Sequence, residues 1–187
     1  LNLLGSGMDV KVGLREGSNS WQVAVDSGLK CEAIQGLVSD CDFISLLIPD
    51  QVMGEVYSEF IEPNLTKGQT LLFSHGYNIH YKLIQPPEFV NVIMVAPSGA
   101  GTELRKQFKI SKGIPGLIAV HQDYSGNSFE LALSYSKAIG LTRMGVFEST
   151  FKEETETDLF GEQAVLTGGI PKLIQSAYKV LLEAGYN

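Results

Sequence analysis

Short apolar runs alternate with amphipathic segments along the chain, and the alternation changes character once, near residue 150. Residues 9–13 read as a short strand, and residues 21–27 and 34–40 as helices. Residues 43–48 form a continuous apolar run of strand length, which suits a strand buried on both faces of a parallel sheet. Residues 51–60 have helical spacing through Val52, Val56 and Phe60. Strands are predicted at 70–74, at 91–96 (rich in β-branched residues), at 117–121 and at 144–147, with a helix over 129–139. The repeated β-α-β order implies an α/β fold with a Rossmann-like, doubly wound parallel sheet. Such sheets bind ligands in the crevice at the carboxyl ends of their strands, so the loops there are where chemistry is expected.

The chain opens on Leu1, and residues 1–4 read as the end of a helix closed by Gly5 and Gly7. A strand is expected to precede that helix, which places the natural N-terminus upstream of Leu1. Past Phe147 the strands stop. Residues 152–166 and 171–184 read as helices, joined by a turn at Gly168, Gly169 and Pro171 and closed by Gly185. The expected organisation is a nucleotide-binding domain over residues 1–149 and the start of an all-α domain over 150–187.

Composition narrows the class. Hydrophobic residues at 44% and charged residues at 19% describe an ordinary globular chain. A net charge of −7 argues against a general nucleic-acid binder, which needs a basic face. The apolar runs are too short to span a bilayer, so no membrane partner is expected. Cys31 and Cys41, both in near-core segments, read as free thiols in a reducing cytoplasm.

Five loops carry candidate chemistry. The first, GLREGSNSW at residues 13–21, follows a strand and opens a helix. An acidic residue there would hold a ribose 2′-hydroxyl, whereas Arg15, Ser18 and Ser20 suit a 2′-phosphate, favouring NADP over NAD. The plainer reading makes Ser18 or Ser20 a helix cap. Ile48, Pro49 and Asp50 end a strand where the adenosine half of a dinucleotide can lie, and Asp50 also reads as an N-cap. His75 and Gly76 follow the strand at 70–74, where a histidine can stand at the crevice. Residues 96–101, APSGAG, are Gly-rich, and Gly99 and Gly101 permit close approach of backbone to a ligand. Finally, Asp158 and Glu162 lie four apart, with Glu154 one turn earlier, so a helix sets three carboxylates on one face. Hard oxygen ligands at that spacing suit Mg²⁺, while an acidic first turn answering the helix dipole is the simpler alternative.

Taken together, these loops resemble the ketol-acid reductoisomerase (acetohydroxy acid isomeroreductase) family. The resemblance runs the length of the chain. It is most specific at residues 12–21, 75–80, 93–97, 118–123 and 151–163, where KEETETDLFGEQ at 152–163 is highly distinctive. The resemblance implies an enzyme that moves an alkyl group within a 2-acetyl-2-hydroxy acid and reduces the product with NADPH. It implies that Arg15, Ser18 and Ser20 grip the 2′-phosphate, that Ile48, Pro49, Asp50 and Gly101 line the cofactor, and that His75 is catalytic beside the nicotinamide. It also implies that Asp158 bridges two Mg²⁺ ions and Glu162 binds one of them, and that the helical domain mediates a homo-oligomer.

Three departures bear on that reading. The family's Gly-rich phosphate loop would precede Leu1. Further metal-binding carboxylates and a substrate-contacting serine would follow Asn187. Ser98 stands where the family usually has Lys near the reaction centre, and Gly99-Ala100-Gly101 replaces Gly-Pro-Gly. Two other readings compete. One is a different NADP-dependent dehydrogenase with a helical C-terminal domain, which has no need of Asp158 and Glu162 on one face. The other is a non-catalytic nucleotide-binding module, to which Ser98 lends support.

Overall fold

The computed structural model describes residues 1–186; Asn187, the last residue of the predicted helical segment, lies outside them. Helix α1 (Asn2–Gly5) ends at a left-handed Gly7 (φ +82°) and leads into strand β1 (Lys11–Gly13). Helix α2 (Asn19–Asp26), strand β2 (Lys30–Glu32), helix α3 (Ile34–Val38) and strand β3 (Phe43–Leu46) follow. Helix α4 (Asp50–Val56) continues into a π-helical turn (Tyr57–Ile61) and a 3₁₀ turn (Glu62–Asn64). Next come strand β4 (Thr70–Phe73), helix α5 (Tyr77–His80), strand β5 (Asn91–Pro97), helix α6 (Gly101–Lys109), strand β6 (Gly116–Gln122), helix α7 (Ser128–Ile139) and strand β7 (Val146–Glu148). Helix α8 (Phe151–Gly161), a second π-helical turn (Glu162–Leu166) and helix α9 (Gly169–Glu183) complete the chain. The sequence reading missed β2, α5 and α6; β2 and α5 are only three and four residues long.

The α/β expectation holds, and the sheet is mainly parallel, but it departs from a single parallel sheet in two ways. β1 and β2 pair as a separate two-stranded sheet, while the other five strands run in the order β3-β4-β5-β6-β7. In addition, β6 is antiparallel to β5 and parallel to β7. The connection explains the reversal. Pro97 pairs with Gly116, and the Ser98 N–H donates to the Pro115 carbonyl at 2.9 Å, so the chain re-enters the sheet at the end it left. Helix α6 therefore never carries the chain back along the sheet, which a parallel crossover requires. Strand β3 is also less enclosed than its apolar run suggested. Only Leu46 is buried, because the edge of β3 away from β4 has no hydrogen-bonded neighbour among the described residues.

Alternation along the central strands builds two core layers. Leu71, Phe73, Val92, Met94 and Ala96 face Met53, Tyr57, Ile61, Ile79 and Phe151. Leu72, Ile93, Val95 and Ile118 face Leu104, Ala132, Ile139 and Leu141. Phe151 matters most for the site: it meets Phe73 edge-on at 6.3 Å and so plants the first turn of α8 beneath the carboxyl end of β4.

Candidate functional site

Helix α8 begins at a side-chain cap. The Thr150 hydroxyl accepts the Glu153 N–H at 3.0 Å, and Glu153 and Glu154 sit in the first turn, where the exposed N–H groups favour negative charge. One residue past the cap Phe151 is buried, and Glu154 and Thr155 are buried behind it. A buried carboxylate needs donors. Glu154 finds two on the loop after β4: the Gly76 N–H at 2.8 Å and His75 Nδ1 at 2.9 Å. An ionised carboxylate only accepts, so Nδ1 carries the hydrogen and Nε2 is left to act as acceptor or to take a proton.

Asp158, one turn beyond Glu154, stands 3.7 Å from His75 Nδ1 with its side chain half exposed. The Glu154 hydrogen bond, more than any other influence, raises the His75 pKa, with Asp50 and Asp158 adding to the rise and burial opposing it. Burial raises the Asp158 pKa; Glu154 and Glu162 push it further and His75 pulls it back. Carboxylates crowded in this way repel one another, and a divalent cation would relieve that repulsion. Suitable ligand atoms of His75, Glu154 and Asp158 lie within 4.8 Å of one another. Glu154 already accepts from two donors, whereas the carboxylates of Asp158 and Glu162 accept no hydrogen bond among the described residues, which leaves their oxygens freer to meet a cation.

His75, Asp158 and Glu162 share a cavity of about 550 Å³ whose other lining residues are Asp50, Gln51, Tyr77, Leu83 and Leu159. Helical spacing anticipates Asp158 and Glu162 on one wall, and His75 joins them from the opposite side. Tyr77, Gln51, Leu83 and Leu159 carried no signal of their own. The role of Asp50 as an N-cap is corrected: Pro49 is the capping residue, in extended conformation, and Asp50 opens α4. The Asp50 carboxylate instead accepts from the Asn78 side chain at 2.7 Å, which turns it toward the cavity. Ile48 packs against the core layer of Phe73, and Pro49 is exposed.

The remaining predicted residues lie elsewhere. In the β1–α2 loop Arg15 and Ser20 are exposed, and Ser18 caps α2 by accepting the Trp21 N–H at 3.3 Å. None of the three lines the carboxylate cavity. Gly101 lines a second cavity of about 560 Å³ at the carboxyl ends of the strands, together with Leu47, Ser74, Pro97, Gly99 and Arg105. Ser98 is exposed beside it. Cys31 and Cys41 are both free and half-buried.

The chain can now be set beside known proteins. A family model described as acetohydroxy acid isomeroreductase, NADPH-binding domain, matches residues 1–145, and one described as ketol-acid reductoisomerase, C-terminal domain, matches residues 151–187. The ketol-acid reductoisomerase (NADP(+)) of Methanocaldococcus jannaschii is 52% identical over 186 residues, spanning 100% of this chain and 56% of that protein. The solved structure of an NADH-preferring ketol-acid reductoisomerase from an uncultured archean superposes with a TM-score of 0.94 at 43% identity, covering 100% of this chain and 58% of that one. The 3-hydroxyisobutyrate dehydrogenase of Salmonella typhimurium, at 13% identity and a TM-score of 0.64 over 99% of this chain and 63% of its own, shares the fold alone. The chain thus spans little more than half the length of the reductoisomerases it matches.

Proposed function

The chain belongs to the ketol-acid reductoisomerase family, and on that premise we propose that it is the cofactor-binding and metal-binding part of an NADPH-dependent ketol-acid reductoisomerase. Its substrates would be 2-acetolactate or 2-aceto-2-hydroxybutyrate, its products the 2,3-dihydroxy acids, and its place the synthesis of valine and isoleucine in the cytoplasm. Residues 1–149 would form the nucleotide-binding domain and residues 150–187 the opening of the helical one, through which the protein would form a homo-oligomer. The observation that carries the reading is the meeting of Asp158 and Glu162 with His75 in one cavity. A dehydrogenase that works without metal has no use for those carboxylates there.

The residues fit Mg²⁺. Their donors are hard oxygens, and Asp158 is crowded by Glu154 and Glu162. Asp158 would bridge two ions and Glu162 would hold one. When bound, the metal supplies Lewis acidity to the substrate's carbonyl and hydroxyl oxygens, and NADPH supplies the reducing equivalents. The chain's own part is to orient and to move protons. Glu154 fixes the imidazole of His75 through Nδ1, so that Nε2 is the atom to exchange a proton with substrate. Arg15, Ser18 and Ser20 would hold the 2′-phosphate, with Ile48, Pro49, Asp50 and Gly101 along the rest of the cofactor. The family also includes an NADH-preferring member, so cofactor choice is a property of this loop to be measured.

The test uses the full-length protein, because two hard cations seek about six oxygens each and Asp158 and Glu162 offer few of them. NADPH oxidation is followed with 2-acetolactate and Mg²⁺. Asp158→Asn is expected to lose metal-dependent turnover while still binding NADPH. Full isomerisation and reduction by that variant at the same Mg²⁺ concentration would refute the assignment.

A further inference from the structure

Gly76 is the N-terminal boundary residue of α5, with φ −80° and ψ −4°. Any residue adopts that backbone conformation, so torsion does not call for glycine here. Space does. A Cβ on Gly76 would lie 2.5 Å from Thr155 Oγ1, 2.6 Å from the Phe151 carbonyl oxygen and 3.2 Å from Glu154 Oε2. One of these neighbours cannot swing away. The Phe151 oxygen is backbone, and it already accepts the Thr155 hydroxyl at 2.7 Å. The Phe151 ring that anchors this turn is buried, edge-on to Phe73 at 6.3 Å and to His121 at 5.5 Å. A side chain at position 76 must therefore displace the first turn of α8 from the end of β4.

We propose that Gly76 is a positioning residue for the site: its bare Cα lets α8 seat against β4 so that Glu154 holds the Gly76 N–H and His75 Nδ1 together, with Asp158 one turn on facing the same cavity. The inference rests on the proposed function for the meaning of the cavity, and on geometry alone for the arrangement. The two donors to Glu154 come from adjacent residues, so the carboxylate spans a gap fixed by the backbone of the loop. Moving α8 outward lengthens both hydrogen bonds at once and carries Asp158 and Glu162 with it. A purely structural glycine would affect stability without re-setting the imidazole.

The test is Gly76→Ala in the full-length protein, read by three measurements. Nitrogen-15 NMR of the neutral His75 ring reports its tautomer, calorimetry with MgCl₂ reports metal affinity, and steady-state kinetics report kcat and the KM for NADPH. The wild type is expected to hold the Nδ1–H tautomer. Gly76→Ala is expected to show a mixture of tautomers, about 10- to 100-fold weaker Mg²⁺ binding and a lower kcat, with the KM for NADPH unchanged. Wild-type tautomer and Mg²⁺ affinity in a folded Gly76→Ala protein would overturn the proposal. Glu154→Gln tests the other limb of the proposal, the hold of Glu154 on His75, and does so even where Gly76→Ala fails to fold. Its amide oxygen accepts the Gly76 N–H, its NH₂ then faces Nδ1, and His75 is expected to switch to the Nε2–H tautomer; an unchanged ring overturns the proposal. A wild-type protein that keeps the Nδ1–H tautomer but binds no Mg²⁺ would count against the proposed function while leaving the positioning of His75 intact.

Discussion

Arg15 is the side chain on which the proposed 2′-phosphate site most depends. It is exposed on the β1–α2 loop, and Ser18 beside it is partly spent on capping α2 through the Trp21 N–H. A guanidinium is the group on this loop that can engage a phosphate dianion in bidentate fashion. Arg15→Ala is therefore expected to weaken NADPH binding by about tenfold or more, in keeping with 1.5–3 kcal/mol for a hydrogen bond to a charged group, and to leave NADH nearly unaffected. Dissociation constants for both cofactors, measured by fluorescence titration, check this. An equal loss for both would remove Arg15 from the 2′-phosphate site. At the same scale, Asp50 illustrates a residue whose local reading as an N-cap gave way to a distant partner. Its side chain is drawn away from the helix end by Asn78, a donor 28 residues later.

Among the elements, α8 is the one that assembles the site. Its start is set locally by Thr150, and its depth by Phe151. Loss of an N-cap hydroxyl typically costs about 1 kcal/mol, which for a chain of this size shifts the melting temperature by about 2–4 °C. Thr150→Ala is expected to fall in that range by calorimetry, with Thr150→Ser close to wild type. A variant as stable as wild type would mean that α8 is held by Phe151 and the Glu154 bridge without help from its cap. The far end of α8 runs into a π-helical turn that begins at Glu162, where the ordinary i to i+4 ladder gives way. Helical period puts Asp158 and Glu162 on one face, and the structure retains that relation across the change of ladder, since both line the cavity.

At the scale of the whole molecule, no described helix is long and apolar enough to cross a membrane. The terminal helix nevertheless presents a bare apolar stripe. Leu173 is 72% exposed and Ile174 63%, with Ile170 and Leu181 on the same face and Leu166 exposed on the turn before it. Apolar side chains at that spacing bury against other helices when partners exist and drive association when they do not. Residues 1–187 alone are expected to self-associate at micromolar concentrations in analytical ultracentrifugation. The double variant Leu173→Glu/Ile174→Glu is expected to sediment as a monomer. A monomeric wild-type chain would show that the stripe is too narrow to drive association.

What the sequence determined by itself is whatever a window of ten or so residues can encode. Apolar runs marked β4 and β5 as strands, the change of pattern near residue 150 marked where the helical segment begins, and the helical period put Asp158 and Glu162 on a common wall. The resemblance to the reductoisomerases rests on the same local stretches. Partner choice lay beyond such a window. The Glu154–His75 pair joins residues 79 apart, and only the packing of Phe151 under β4 brings them together. The antiparallel direction of β6 depends on where α6 leaves the chain, not on the apolar residues of β6, which read alike in either direction. Gly76 looks in the sequence like any glycine of a turn; the need for its bare Cα exists only once α8 has been laid against it. Local propensity is written along the chain, whereas closure between distant segments is decided by which surfaces bury one another.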